Sequence, residues 1–325
     1  MKRRDLLKLA SIGAIAGVAP RAFAQAKWPE KPVRLIVPFT PGGGTDTLAR
    51  LVAEKLTAGA KWSMFVENKP GGGGNIGMDA VAKAAPDGYT IGLGQTANLA
   101  VNPSLYKKVP YDALKDFTPI ALVATQPVIL VVRADSPFKT LADLVNAAKA
   151  KPGDVSMGSA GSGTVGHLAG ELLGREAKAK FLHVPYKGAG PALTDLLGGS
   201  VQFAFLTPPS ILGMLKANKL RALAVTSAKR LPAFPNLPTV AESGYANFVA
   251  ESWYGLVGPA KLPPAIVATI NAEVEKLLKL SDVTAKLAAE GNEPLGGTSE
   301  KFAALLKADH TRWGTVVREA GIKPD

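Results

Sequence analysis

Residues 33–46 read VRLIVPFTPGGGTD, an apolar run followed directly by a glycine-rich turn. The run Val33–Phe39 is typical of a strand buried on both faces of a parallel sheet. Thr45 and Asp46 stand where the N-cap of a following helix is expected. Apolar side chains then recur at helical spacing, at Leu48, Leu51, Val52 and Leu56. The stretch therefore predicts a strand–turn–helix unit.

The same unit recurs along the chain. We expect further strands near residues 63–67, 90–94, 155–158, 181–185, 202–206 and 221–225. We expect helices near residues 76–84, 140–150, 164–175, 190–198, 209–217, 263–279, 281–290 and 298–319. Strands that alternate with helices favour an α/β fold with doubly wound layers.

Two extended segments interrupt this alternation and divide the chain. Residues 119–133 are too long for one typical strand, and residues 248–258 follow a proline-rich region. We interpret both segments as crossover strands that form a hinge between two lobes. Domain 1 would then comprise residues 25–125 plus 253–325, and domain 2 would comprise residues 126–252.

The N-terminus predicts export. Lys2, Arg3 and Arg4 precede a mostly apolar stretch at residues 6–19, and Ala22-Phe23-Ala24 is a small-x-small cleavage signal. Residues 1–24 are therefore predicted to be a signal peptide that is removed in the periplasm. The arginine pair favours the twin-arginine route, with ordinary Sec export as the alternative.

Composition narrows the class of partner. The chain contains no cysteine, which excludes disulfides, thiolate metal sites and thiol nucleophiles. The net charge of +12 favours anionic partners. Lysines are scattered and aromatic residues make up 6%, which argues against nucleic acid. A small anionic solute fits better.

Two loops have the composition of an anion site. Glycines allow close backbone approach to a ligand, and the start of a helix presents free N–H groups and a positive dipole end. The structural alternative is that these loops are only tight turns and caps. The first loop comprises Phe39, Thr40, Pro41, Gly42, Gly43, Gly44, Thr45 and Asp46, and the second comprises Ser159, Ala160, Gly161, Ser162, Gly163 and Thr164.

Further candidates follow other predicted strands. Gln95 and Thr96 begin a loop that extends to Asn98, and Thr207 ends the strand near 202–206. A third loop offers Tyr186, Lys187 and Gly188. Lys187 either approaches a carboxylate or is simply solvated. We expect Gln95, Tyr186, Lys187 and Thr207 to contact the distal end of a ligand.

Enzyme and cofactor sites lack necessary parts. Gly161, Gly163 and Gly166 match G-x-G-x-x-G, but the acidic residue expected about 20 positions later is missing. The tract Gly71–Gly74 lacks the ending of a phosphate loop. His183 is expected to pack within a strand and His167 to lie near a cleft. We therefore predict a binding protein without a cofactor, metal or catalytic residue.

Motifs along the whole chain resemble one family. The segments WPEKPVRLIVPFTPGGGTD, ENKPGGGGNIG, APDGYTIGLG, GSAGSGTVGHLAGE and VPYKGAGPALTDLLGG are similar to the Bug (TctC-like) receptors of tripartite tricarboxylate transporters. The likeness covers essentially residues 28–320, in order.

This resemblance implies a two-lobed, Venus-flytrap periplasmic receptor of the type II-like class. Such receptors hold di- or tricarboxylates, acidic amino acids or aromatic acids by backbone groups, which map here onto Phe39–Asp46 and Ser159–Thr164. They deliver the ligand to a permease of two membrane subunits, and we expect a monomer. A sensor that presents its closed form to a signalling partner is the alternative, and a secreted enzyme is less favoured.

Overall fold

Two mixed β-sheets organise the chain in the computed structural model, which describes residues 28–246, 248–319 and 323–324. The predicted signal peptide lies outside these residues. The described residues from Lys31 onward form one compact unit.

The strands, in chain order, are β1 (Val33–Val37), β2 (Met64–Asn68), β3 (Thr90–Gln95), β4 (Phe117–Pro127), β5 (Ile129–Arg133), β6 (Ser156–Ser159), β7 (Leu182–Pro185), β8 (Phe203–Leu206), β9 (Leu220–Val225), β10 (Glu251–Pro259) and β11 (Glu293–Pro294). The helices are α1 (Gly44–Ala60), α2 (Asn75–Ala82), α3 (Asn102–Leu105), α4 (Leu141–Ala150), α5 (Val165–Ala177), α6 (Ala189–Gly198), α7 (Pro208–Lys216), α8 (Pro264–Leu277), α9 (Ser281–Ala289) and α10 (Ser299–Glu319).

Each lobe is built on one sheet. The first lobe contains the sheet with order β11-β4-β10-β3-β1-β2, and the second contains the sheet with order β7-β6-β8-β5-β9. Strand β1 is parallel to β2 and β3, and β6 is parallel to β7 and β8. The crossover strands run antiparallel to their neighbours, so both sheets are mixed.

The hinge consists of two adjacent crossings. Strands β4 and β5 are separated only by Val128, and β10 returns the chain to the first sheet, where it pairs with β4. Thr226, which is fully buried, joins the two crossings. Its Oγ1 accepts from Val128 N at 2.9 Å and donates to Ala250 O at 2.6 Å.

Helices cover the sheets and bury their apolar faces. In the second lobe, Leu144 and Leu173 pack with Phe203 in one core cluster, and Ile129 and Ile211 pack in another. Among the described residues, no helix combines the length and apolar character needed to cross a bilayer.

Two local predictions were wrong. The first strand ends at Val37 instead of Phe39, because Pro38 has no N–H with which to continue the ladder. The loop predicted at residues 95–98 is instead the end of β3 followed by a π-helical turn, Ala97–Val101, and then α3. The turn forms because Leu99 is fully buried and Asn98 Oδ1 accepts from Gln95 N at 3.0 Å.

Candidate functional site

A narrow cavity lies between the two lobes, with a volume of about 40 Å³. Since one water needs roughly 10–15 Å³, the lobes are nearly closed upon each other. The cavity meets the carboxyl ends of β1, β3, β6 and β8, where ligands bind in open α/β sheets. It is lined by Phe39, Gly43, Gly44, Thr45, Gln95, Val128, Ala160, Thr164, Val165, Gly166, Ala189, Phe205, Leu206, Thr207 and Tyr254.

Four helices begin at this cavity. Helix α1 starts at Gly44, α5 at Val165, α6 at Ala189 and α7 immediately after Thr207. The first N–H groups of a helix have no intrahelical acceptor, and the macrodipole places partial positive charge there. Among the described lining residues, none has a charged side chain. The positive potential therefore comes from backbone dipoles.

The first loop is held in shape by Asp46. Its Oδ2 accepts from Gly42 N at 3.0 Å and Arg50 Nε at 2.9 Å, and its Oδ1 accepts from Asn68 Nδ2 at 2.9 Å. Burial raises the pKa of Asp46, but the hydrogen bonds from Arg50, Gly42 and Asn68 outweigh it and leave the pKa lowered. The N-cap of α1 is Gly43, and the prediction of Thr45 or Asp46 at this position was wrong because the glycine-rich turn is shorter than expected.

The second loop rests on a serine–histidine arrangement. Ser159 Oγ lies 2.7 Å from His183 Nε2, and the ring of His183 stacks on His167 at 3.9 Å between centroids. His167 Nδ1 accepts from Gly163 N at 3.0 Å. His183 is thus only half-buried instead of packed in the core, and His167 is 2% exposed beneath the loop instead of beside the cleft. Both expectations failed because the rings stabilise each other across α5 and β7.

Ser159 is fully buried, and its hydroxyl is also within hydrogen-bonding distance of both Gly161 N and Gly161 O, at 3.2 Å. A hydroxyl held in this way shapes the loop. Thr164 caps α5 and donates to Gly161 O at 2.7 Å, so the loop is fixed at both ends.

Polar side chains at the floor of the cavity pair with one another. Thr45 Oγ1 donates to Gln95 Oε1 at 3.2 Å, and Tyr254 donates to Gln126 Oε1 at 3.2 Å. Burial raises the pKa of Tyr254, so its hydroxyl stays protonated. Thr96 lies behind the cavity, where its Oγ1 accepts from Trp253 N at 3.0 Å.

Direct contacts join the lobes around the cavity. Gly44 N donates to Thr207 Oγ1 at 3.1 Å, and Tyr106 donates to Ser162 O at 3.4 Å. Apolar packing adds Leu168 of α5 to a cluster with Leu105 of α3. These contacts can form only when the two lobes lie close together.

The predicted site residues fall into three groups. The first lines the cavity and comprises Phe39, Gly43, Gly44, Thr45, Gln95, Ala160, Thr164 and Thr207. The second lines a neighbouring surface cavity of about 440 Å³ and comprises Gly161, Ser162, Tyr186 and Lys187. The third lies outside both linings and comprises Thr40, Pro41, Gly42, Asp46, Thr96, Ser159, Gly163 and Gly188.

Sequence reasoning missed part of the cavity wall. Three of the missed residues lie at the first positions of helices that directly follow predicted loops: Val165, Gly166 and Ala189. Their position after a predicted loop could have identified them from the sequence. Phe205 and Leu206 end a predicted strand. Tyr254, on the second crossover strand, is 1% exposed and also lines the cavity.

Comparison with known proteins agrees with this architecture. Residues 48–322 match the model of the tripartite tricarboxylate transporter family receptor, TctC. Protein BugT of Bordetella pertussis (strain Tohama I) is 38% identical over 319 residues, which cover 97% of this chain and 98% of BugT.

Two solved structures are similar over the whole fold. One, described as R. palustris Rpa4515 with adipate, has a TM-score of 0.88 and 38% identity and covers 92% of this chain and 100% of its own. The periplasmic binding protein BugD has a TM-score of 0.86 and 34% identity, with coverage of 92% and 100%. This chain therefore belongs to the TctC family of tripartite tricarboxylate transporter receptors.

Proposed function

We propose that the protein is an exported receptor that captures a small carboxylate between its lobes and delivers it to the membrane subunits of a tripartite tricarboxylate transporter. The observation that carries this proposal is the convergence of four helix N-termini on one enclosed cavity. Backbone dipoles of this kind bind anions without a cationic side chain. The related protein with adipate supports a carboxylate as the anion.

Binding proceeds by closure of the two lobes. In the open form, the carboxylate docks on the N–H groups at the start of α1, in the first lobe. Closure adds the starts of α5 and α6 from the second lobe, and the ligand shifts the population toward the closed form. The contact between Gly44 N and Thr207 Oγ1 then forms beside the ligand.

The remaining predictions complete this proposal. The lobes correspond to residues 25–125 plus 253–325 and residues 126–252, with bending at the hinge. Residues 1–24 direct export to the periplasm and are removed there. In this proposal the site binds and does not catalyse: the Ser159 hydroxyl, although it lies 2.7 Å from His183 Nε2, is fully buried and outside the lining of the cavity.

A thermal-shift screen of the purified protein tests the receptor function. A ligand that binds only the folded state stabilises it by about 2.7 kcal/mol at 100 times its dissociation constant. We expect a rise in melting temperature with at least one carboxylate and no rise with the corresponding amide. A response confined to neutral solutes would refute the carboxylate assignment.

Delivery and export have separate tests. Cells that lack the gene should lose uptake of the radiolabelled acid, and complementation should restore it. N-terminal sequencing of the periplasmic protein should give Gln25 as the first residue. Uptake that is unchanged by the deletion would argue against a transport role.

A further inference from the structure

The polar groups of the cavity form a donor-rich set around an apolar middle, and this bears on the class of acid that fits. On the basis of the proposed receptor function, we infer that this protein selects small carboxylates with an unsubstituted apolar body. It discriminates against acids that carry an α-ammonium or α-hydroxyl group.

The first step concerns the ammonium group. A buried ammonium needs a carboxylate or several acceptors to replace its hydration. Among the described residues that line the cavity, none is acidic. Asp46 is the acid nearest in sequence, but its oxygens are occupied by Gly42, Arg50 and Asn68. An α-amino acid would therefore bury its charge without a carboxylate partner.

The second step concerns hydroxyl groups. The polar side chains of the lining are already hydrogen-bonded within the protein. Thr45 is bonded to Gln95, and Thr164 to Gly161. Thr207 pairs with Ser210 at 2.6 Å and accepts from Gly44 N. A ligand hydroxyl would have to share oxygen atoms that already take part in these bonds, which gives weaker hydrogen bonds than its hydration in water.

The third step concerns the body of the ligand. Between the helix starts, the wall is formed by six apolar or aromatic side chains, and these come from both lobes and from the hinge. They are Phe39, Val128, Val165, Phe205, Leu206 and Tyr254. Methylene groups or a ring would bury apolar surface against this wall, which is favourable in proportion to the area removed from water.

The fourth step concerns branching. The helix starts supply the donors, and the side chains between them are apolar. A linear or planar acid can place its carboxylates on those donors and its body against the wall. A branched tricarboxylate would direct its third charge into the apolar wall.

Isothermal titration calorimetry of the full chain with matched acids tests the inference. Succinate is compared with aspartate, malate and tricarballylate, and adipate with 2-aminoadipate; benzoate represents an aromatic body. We expect an unsubstituted acid to bind at least tenfold more tightly than its substituted derivatives, equivalent to about 1.4 kcal/mol. Aspartate, malate or 2-aminoadipate binding as tightly as its parent acid would overturn the inference and leave the receptor function standing. No binding of any acid would overturn the receptor function itself.

A variant adds a second readout. Val165 is partly exposed at the first position of α5, so Val165→Thr adds a hydroxyl to the wall with little change in shape. We expect this variant to lower the ratio of the dissociation constant for malate to that for succinate by severalfold. The control Val109→Thr makes the same change at a half-buried residue away from the cavity and should leave the preference unchanged. An unaltered preference in Val165→Thr would contradict the assignment of this wall to the ligand's body.

Discussion

Gly73 offers a direct test of whether lobe contact limits ligand affinity. It belongs to the tract that precedes α2 in the first lobe, and its backbone is left-handed, with φ 62° and ψ 24°. A methyl carbon added by Gly73→Ala would stand 2.8 Å from the hydroxyl of Tyr106, in the first lobe, and 2.6 Å from the carbonyl oxygen of Ser162, in the second lobe. That is about 0.7 Å inside the ~3.3 Å at which carbon–oxygen contacts normally begin.

The expected magnitude has two parts. The left-handed backbone costs alanine about 1–2 kcal/mol in the open and closed forms alike, so this part lowers stability and leaves the lobe equilibrium unchanged. The overlap with Ser162 exists only when the lobes are closed, and overpacking of this kind costs about 1–3 kcal/mol. Binding requires closure, so the dissociation constant should rise by about 5- to 150-fold.

The assay combines calorimetric titration of the best-binding acid with urea denaturation. Gly153→Ala is the matched control, because Gly153 also has a positive φ, of 88°, but an added methyl group meets nothing within 4 Å. Gly73→Ala should lose more stability than Gly153→Ala, because its methyl group also meets Tyr106 within the first lobe, and only Gly73→Ala should lose affinity. Wild-type affinity in Gly73→Ala, or an equal loss in both variants, would refute the idea that these lobes must approach to bind.

Three further variants probe other parts of the structure. Thr207→Val removes the acceptor of Gly44 N and should weaken binding about 2- to 12-fold by titration; unchanged affinity would count against this inter-lobe bond. Thr226→Val leaves Val128 N and Ala250 O at the hinge without their side-chain partner and should lower the free energy of unfolding by about 1–3 kcal/mol in urea; no loss would show that the hinge does not depend on it. Asp46→Asn should lose about 1–3 kcal/mol at pH 7. Because the folded pKa of Asp46 is lowered from 3.8, its stabilisation is present above that value and disappears as pH falls through the folded pKa. The difference between wild type and Asp46→Asn should therefore shrink below about pH 4, and a constant difference would contradict the role of its charge.

The secondary structure was predictable where burial follows a simple period. Helices α4, α5 and α6 lie within about two residues of their predicted bounds, because their apolar residues recur at helical spacing. The π-helical turn at Ala97–Val101 was missed. Its residues are buried on all sides. The turn therefore has no solvent-exposed polar face whose spacing in the sequence would indicate a helical period.

The candidate site was predictable in its backbone and less so in its wall. The strand–glycine–helix pattern located the starts of α1 and α5 because that chemistry is local in sequence. Val128 and Tyr254 reach the cavity from the two crossings, and their positions depend on how the lobes meet. No short-range pattern encodes that meeting, so the sequence around Tyr254 does not by itself distinguish a role in packing from a place in the cavity wall.

The glycine-rich loops combine two requirements that are usually separate. They expose helix N–H groups to an anion, and they also let the lobes approach, since a methyl carbon at Gly44 would stand 3.0 Å from Thr207 Cβ and closer still to Gln126 Oε1, and Gly188 faces Thr40 without room for one. A side chain at either position would weaken closure even if it left the anion donors intact. The density of glycine around this cavity is therefore explained better by lobe contact and ligand access together than by turn formation, which needs only the residues with positive φ.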